Sequence, residues 1–271
     1  MIVYLRLFRA DAALLAFISY LIGAELAGGA HLGDFVAAIL VTCISTNFIY
    51  SFNAWADRQV DAVNKPWRPI PAGQIKPETV LLYSRILLLL AVFYPFFIAH
   101  TLPTLFLFLL LPILGLLYSA KPFSFRRQAI LSTLTISAGL TTPLMLGYFM
   151  NSQETGLMPL FIGLFFYCMC VVPLKDIEDA EGDRASGIDN LYLLWGDKLP
   201  LFSFAGLAGG LLWIFAVTLP QTIKIKMVVV TLGTMSCILI SLLFALNTKV
   251  LYRTIIHTVI TLAIILGIIF Y

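Results

Sequence analysis

Amide and acidic side chains recur at helical spacing in two short segments of the sequence. The first acidic segment reads N-A-W-A-D-R-Q-V-D over residues 53–61, and the second reads K-D-I-E-D-A-E-G-D over residues 175–183. Residues three or four positions apart share one face of an α-helix. Each segment therefore predicts a stack of oxygen-bearing side chains on one helix face: Asn53, Asp57 and Asp61 in the first, and Asp176, Asp179 and Asp183 in the second.

Stacked carboxylates repel one another, so something cationic has to compensate their charge. Arginine or lysine could do this, but two clusters of hard oxygen ligands are what Mg²⁺ binds, usually with water and substrate phosphates completing its coordination. A single D-x-x-x-D at a helix end would more often be a pair of solvated loop residues. Two such clusters, each mingled with Lys and Arg, are harder to explain as solvated loop residues.

The composition indicates that these segments belong to an integral membrane protein. Of the 271 residues, 61% are hydrophobic and 11% are charged, and the mean hydropathy is +0.98, far from the values of soluble domains. Backbone polar groups must be satisfied inside the bilayer, so we predict an all-α helical bundle that forms a single domain over residues 1–271. Nine apolar runs are long enough to cross the hydrocarbon: Leu7–Gly29, Phe35–Ser51, Val80–Ala99, Pro103–Tyr118, Ala129–Met150, Leu157–Val172, Leu201–Leu219, Val228–Asn247 and Thr254–Phe270.

The basic residues predict the orientation of the bundle. If the N-terminus is cytoplasmic, all of the 17 Lys and Arg residues except Lys224 and Lys226 lie on the cytoplasmic side, as the positive-inside rule expects. Both acidic segments then lie at the cytoplasmic face, each continuing a membrane helix for a turn or two before Gly or Pro ends it. Because topology explains the basic residues, the net charge of +3 does not predict a nucleic-acid partner.

Other catalytic motifs are missing from the sequence. We find no P-loop, Rossmann fingerprint or nucleophile elbow, so ATP-driven transport and nicotinamide chemistry have no support. The long polar stretch after the first acidic segment instead reads N-K-P-W-R-P-I-P-A-G over residues 64–73, and the second acidic segment extends to D-x-x-D-x-x-G-D-x-x-x-G-I over residues 176–188. Together with N-x-x-x-D-x-x-x-D, these motifs resemble the UbiA superfamily of intramembrane prenyltransferases.

The resemblance implies a helical bundle with a central cavity, two Mg²⁺ ions held by the acidic segments, and a prenyl diphosphate whose tail lies in an apolar tunnel open to the lipid. The first ion would be held by Asn53, Asp57 and Asp61, and the second by Asp179 and Asp183 with Asp176 as an added acid. Catalysis would thus depend on Asp57, Asp61, Asp179 and Asp183. Diphosphate-binding positions of the family match Arg68, Tyr118 and Lys121, and we add Lys175 and Arg9 as further basic candidates.

Three departures from the family pattern bear on the acceptor. Ala54 stands where most members have Asp directly after the first Asn, and residues 190–192 read Asn-Leu-Tyr where many read Thr-Leu-Pro. The segment after Lys121 also lacks the Gly-Asn that often begins the next helix. The spaced metal ligands survive, so ionisation of the diphosphate is expected to survive with them.

Three functions follow from these observations. The first is transfer of a polyprenyl chain to an aromatic or prenylglycerol-phosphate acceptor soluble in the membrane. The alternative within the same superfamily is a terpene cyclase, in which a double bond of the substrate itself captures the allylic cation. A transporter or a structural membrane protein would leave the two acidic segments unexplained.

Overall fold

The computed structural model describes residues 7–200 together with residues 202, 203 and 206. Within those residues the regular structure is helical and includes no β-strand, which confirms the all-α fold class. One π-helical turn, Val41–Thr46, and two 3₁₀ turns, Phe125–Arg127 and Val172–Lys175, join or extend α-helices. The α-helices are α1 Ala10–Leu26, α2 Leu32–Leu40, α3 Asn47–Ala56, α4 Arg58–Asn64, α5 Pro77–Phe93, α6 Pro95–Ile98, α7 Leu102–Ser119, α8 Ala129–Asn151, α9 Met158–Val171, α10 Asp176–Ala185 and α11 Leu191–Trp195.

Among the described residues, five continuous helical stretches are long and apolar enough to cross a membrane, so the protein is a multi-pass integral membrane protein. They confirm the second to sixth predicted spans, and the first predicted span is a shorter apolar helix, α1. The spans predicted at 201–219, 228–247 and 254–270 lie outside the described residues, apart from residues 202, 203 and 206. The five stretches are Leu32–Ala56, Pro77–Ile98, Leu102–Ser119, Ala129–Asn151 and Met158–Ala185.

The chain separates into two compact units. Unit 1 runs to Glu154 and also contains Glu181–Ile188, whereas unit 2 contains Thr155–Ala180 and the chain from Asp189 onward. The boundary therefore falls inside α10, which belongs to unit 2 in its first half and to unit 1 in its second. The prediction of a single domain over residues 1–271 stays a prediction.

The core of unit 1 is built around the contact between α1 and α8. Glycines bring the two helix backbones together: a Cβ atom added at Gly147 would overlap the carbonyl oxygen of Tyr20, and one added at Gly23 would overlap that of Leu144. Small residues allow such close approach in membrane helices, where van der Waals packing is a main source of association energy. The buried side chains around this contact are Tyr20, Ala37, Ala38, Val41, Leu107, Phe108, Leu111 and Leu146.

The first acidic segment begins at the end of a long helix and continues through Asp57, where the regular α-helix is interrupted, into α4. Helices α2 and α3 are joined without a break by the π-helical turn, and two side-chain pairs anchor this region: Ser45 to the Tyr94 hydroxyl at 3.0 Å and Asn47 to the Tyr83 hydroxyl at 2.5 Å. The segment itself keeps helical hydrogen bonds of 2.8 Å from the Asp57 N–H to the Asn53 carbonyl and from the Asp61 N–H to the Asp57 carbonyl. The predicted spacing of four along a helix is therefore confirmed for this segment.

Substitution of Gly147 should show how much unit 1 depends on the contact between α1 and α8. We expect Gly147→Ala to destabilise the protein by about 1–3 kcal/mol, because the added methyl group meets backbone that cannot turn away. Gly139→Ala is the matched control on the same helix, where a Cβ atom meets nothing within 4 Å, and alanine there should be neutral or favourable by up to about 1 kcal/mol. Thermal unfolding in detergent measures both, and equal melting temperatures would contradict the close contact.

Candidate functional site

Asp57 is the centre of a buried polar cluster at the junction of α3 and α4. Its Oδ2 atom accepts a hydrogen bond of 2.7 Å from the Asn53 amide and forms an ion pair with the Arg126 guanidinium. Its Oδ1 atom is also buried and has no hydrogen-bond partner among the residues that the structure describes. Burial raises the pKa of Asp57 to about 6, and the Asp61 charge adds to this, whereas Arg126 and Asn53 lower it.

Asp61 lies one helical turn further on and is buried as well. Its Oδ2 atom pairs with the Nη1 atom of Arg68 at 2.6 Å. Arg68 comes from the R-P-I-P turn that follows α4, where its carbonyl accepts a hydrogen bond of 2.9 Å from the Ala72 N–H. The structure therefore places the predicted diphosphate ligand Arg68 directly against the first acidic segment.

Arg126 is a site residue that the sequence analysis missed. It lies in the 3₁₀ turn Phe125–Arg127, between α7 and α8, and its side chain is 13% exposed. Lys121, the basic residue predicted from the same connection, has an exposed side chain. A signal was present: two arginines directly before the start of α8 sit at the positive end of a helix dipole, which indicates an anionic partner from elsewhere in the fold.

Asn53 connects the first acidic segment to the end of α7. Its amide nitrogen donates to Asp57 and also to the Ser119 hydroxyl at 3.4 Å. Ser119 is buried and follows the predicted diphosphate ligand Tyr118, whose side chain is half-buried. The segment from Tyr118 to Lys121 therefore contacts the acidic cluster through Ser119.

The second acidic segment forms α10 and is divided between the two units. Asp183 lies in unit 1, whereas Asp176 and Asp179 lie in unit 2. Asp176 is buried, and both of its oxygens have protein partners: Oδ1 pairs with Lys175 at 2.7 Å, and Oδ2 accepts from the Leu191 N–H at 3.0 Å. Its role as an added metal ligand stays a prediction.

Residues 190–192, one of the departures from the family pattern, serve the local structure of unit 2. The Asn190 side chain caps α11 by accepting from the Leu193 N–H at 2.8 Å, and its amide donates to the Asp176 carbonyl at 3.4 Å. Together with the Leu191 N–H, this segment fixes the start of α10. The signal available in the sequence was Asn190 itself, since Asn before an apolar run is typical of a helix N-cap.

The second half of α10 and the residues directly after it contact α4 and the 3₁₀ turn that carries Arg126. The Gly182 N–H donates to the Asn64 side-chain oxygen at 2.8 Å, and Arg127 donates to the carbonyls of Ser186 and Gly187 at 3.4 Å each. Within unit 1, the structure therefore brings the end of the second acidic segment to the end of α4.

Two further predicted positions pack on other surfaces. The Arg9 guanidinium lies 5.0 Å from the centre of the Tyr50 ring, in a cation–π contact. Ala54 packs against the apolar cluster of Leu7, Ile70 and Val80, because it is rotated by about 100° from Asn53 around the helix. Its departure from the family pattern therefore changes an apolar contact.

Within the described ranges, no three His, Cys, Asp or Glu side chains lie together as a possible metal site. The first acidic segment instead forms two acid–arginine pairs, Asp57 with Arg126 and Asp61 with Arg68. This cluster contains carboxylate oxygens, which can bind a cation, and guanidinium groups, which can bind an anion. It can therefore bind either ion alone or both together.

Comparison with known proteins gives a consistent result. A model of the UbiA prenyltransferase family matches residues 14–253. The chain is 27% identical over 197 residues to the digeranylgeranylglyceryl phosphate synthase of Methanosphaera stadtmanae, covering 72% of this chain and 70% of that protein. It is 30% identical over 202 residues to the synthase of the same name from Natronomonas pharaonis, covering 68% and 66%. It is also 28% identical over 189 residues to the chloroplastic chlorophyll synthase of Arabidopsis thaliana, covering 65% of this chain and 49% of that protein.

Solved structures share the fold. A UbiA homologue from Archaeoglobus fulgidus bound to GPP and Mg²⁺ superposes with a TM-score of 0.80 at 20% identity, covering 99% of each chain. A UbiA homologue from Aeropyrum pernix K1 gives a TM-score of 0.74 at 15% identity, covering 96% of this chain and 98% of that one. At these identities the likeness establishes the architecture of the fold.

Substitution of Arg126, the ion-pair partner of Asp57, tests whether this pair is as buried as the structure shows. We expect Arg126→Gln to destabilise the protein by about 3 kcal/mol, because a buried carboxylate loses its cation. Arg127→Gln is the adjacent control and should cost less than about 1 kcal/mol, since that side chain is exposed. Thermal unfolding in metal-free detergent solution compares them. The double variant Asp57→Asn with Arg126→Gln should recover part of the loss, and strictly additive effects would argue against the pair.

Proposed function

Because the chain belongs to the UbiA prenyltransferase family, we propose that it transfers a prenyl chain from an allylic diphosphate to an acceptor in the membrane. The observation that carries this proposal is the pairing of two buried carboxylates, one helical turn apart, each with an arginine. The same cluster offers ligands for a metal ion and for a diphosphate. The relatives named as synthases and the homologue bound to GPP and Mg²⁺ support the same reaction class.

The side-chain oxygens of the first acidic segment are suitable ligands for Mg²⁺. Asp57 and Asp61 supply hard carboxylate oxygens, and the buried Asp57 Oδ1 atom, for which no hydrogen bond to a described residue is found, is a ready ligand. The Asn53 amide now turns its nitrogen toward Asp57, and a half-turn would present its oxygen instead. We propose Asp179 and Asp183 as the ligands of a second ion on the strength of the sequence motif.

Arg68 and Arg126 are proposed to bind the diphosphate group of the substrate. Bound Mg²⁺ neutralises charge on the diphosphate and so makes it a better leaving group. Arg68 and Arg126 are released from Asp61 and Asp57 when those carboxylates take another cation, and can then pair with diphosphate oxygens. At about 4 Å and an effective dielectric constant of about 20, each such pair is worth about 4 kcal/mol before desolvation. Tyr118, Lys121, Lys175 and Arg9 stay further candidates for this role.

The carboxylates hold charge and do not attack the substrate. Ionisation leaves an allylic cation, and transfer requires an acceptor atom held within about 3.5 Å of it. We propose a prenylglycerol phosphate as the first acceptor to try, because two of the relatives are named for the synthesis of a digeranylgeranylglyceryl phosphate. An aromatic acceptor is the other class. Both acidic segments are proposed to face the cytoplasm, as the distribution of Lys and Arg predicts.

Loss of a metal ligand should abolish turnover and leave the fold intact. We expect Asp57→Asn or Asp183→Asn to lower the consumption of geranylgeranyl diphosphate by more than about 100-fold, since even the partners of metal ligands are typically worth 10- to 100-fold. Asp189→Asn is the control, as an exposed acid just beyond the second acidic segment. Mass spectrometry of product measures the rate, and EDTA should abolish the wild-type reaction until Mg²⁺ is restored. Full activity of either variant would refute the metal site.

The acceptor decides between transfer and cyclisation. Purified protein with Mg²⁺ should release diphosphate slowly from geranyl, farnesyl and geranylgeranyl diphosphates, and faster by at least about tenfold when a prenylglycerol phosphate or a phenolic acceptor is added. The measurement is diphosphate release with product analysis by mass spectrometry. Rapid formation of one cyclic hydrocarbon or terpene alcohol without an acceptor would instead identify a terpene cyclase.

A further inference from the structure

The Asn64 side chain joins the two acidic segments within unit 1. Asn64 is the last residue of α4, and its side-chain oxygen accepts a hydrogen bond of 2.8 Å from the N–H of Gly182, 118 residues away in α10. Helical N–H groups normally donate to the carbonyl four residues earlier. An acceptor from another helix therefore marks a specific contact.

Any side chain at position 182 would disturb this contact. Gly182 is buried, and a Cβ atom added to it would overlap the Oδ1 and Cγ atoms of the Asn64 side chain. The Asn64 amide would have to move away to admit a larger residue, and the contact would be lost. The two residues fit each other as a pair.

The neighbours of the contact are the residues proposed to bind metal. Asp61 lies three positions before Asn64 on α4, and Asp183 directly follows Gly182 on α10. The end of α10 is held a second time by Arg127, next to the Arg126 that pairs with Asp57. These two contacts, one within α10 and one just after its end, therefore come from elements that carry the proposed site.

We propose that Asn64 is a positioning residue that holds Gly182, and through it Asp183, in place for metal binding. This inference rests on the proposed function in taking Asp183 as a ligand. Without the Asn64 amide, the second half of α10 keeps Arg127 but loses its attachment beside Asp183. The result is a weaker metal site in a protein that still folds.

The test compares Asn64→Ala, Gly182→Ala and their combination with Val63→Ala, an exposed neighbour on α4. Isothermal titration calorimetry of the purified protein in detergent measures the Kd for Mg²⁺, and hydrogen exchange over residues 176–188 measures the attachment of α10. We expect each single variant to raise the Kd by at least about tenfold and to speed exchange. Val63→Ala should change neither. The double variant should be no worse than the worse single one, because both remove the same contact.

Several outcomes would overturn the inference. A Kd that stays within twofold of the wild-type value while exchange rises would make the contact merely structural. Unchanged exchange, Kd effects that multiply in the double variant, or no Mg²⁺ binding by the wild-type protein would each refute it. A wild-type protein that binds Mg²⁺ but consumes no prenyl diphosphate would contradict the proposed function alone, and weaker binding by Asn64→Ala would still support the positioning role.

Discussion

The polar contacts of unit 1 depend on two carboxylates that are buried at the end of a membrane helix. An isolated buried carboxylate is costly, so Asp57 and Asp61 require positive charge at close range. Arg68 supplies it from the turn after α4, and Arg126 supplies it from the connection between α7 and α8. Two connecting segments that are distant in sequence are thereby folded onto the same helix end.

The two acid–arginine pairs are not a large source of stability. Replacing a buried ion pair by apolar residues is often neutral or stabilising, so the pairs contribute little to stability by themselves. In the proposed function their value would lie in changing partners, since a carboxylate that left its arginine for a metal ion would free that arginine for an anion. The apolar contacts between α1 and α8, in contrast, have no such freedom, because backbone lies directly against backbone at Gly23 and Gly147. A rigid apolar scaffold thus carries an exchangeable polar cluster.

Hydropathy predicted the second to sixth spans, and helical period predicted the spacing of Asn53, Asp57 and Asp61, because both are local properties of the chain. The pairing of Arg126 with Asp57 was not predicted, since it depends on how the connection after α7 folds. The choice of Lys121 over Arg126 followed motif position, which carries no information on burial. The position of Ala54 was predictable in principle, because adjacent residues on a helix face different directions. The partners of Asp176 were not, since they come from residues that lie beyond α10.

The π-helical turn Val41–Thr46 determines which side chains of the following helix point in a given direction. A π-bulge accommodates one residue more than an ideal α-helix, which offsets the downstream part by about 100°. The apolar stripe of α2 and the polar stripe of the first acidic segment therefore cannot be aligned on one uniform helical wheel. Loss of one residue from this turn would restore a regular α-helix, whereas loss of one residue from α3 before Asn53 would rotate the carboxylates by about 100°, so the bulge is the part of this helix whose length can change without moving the charged groups.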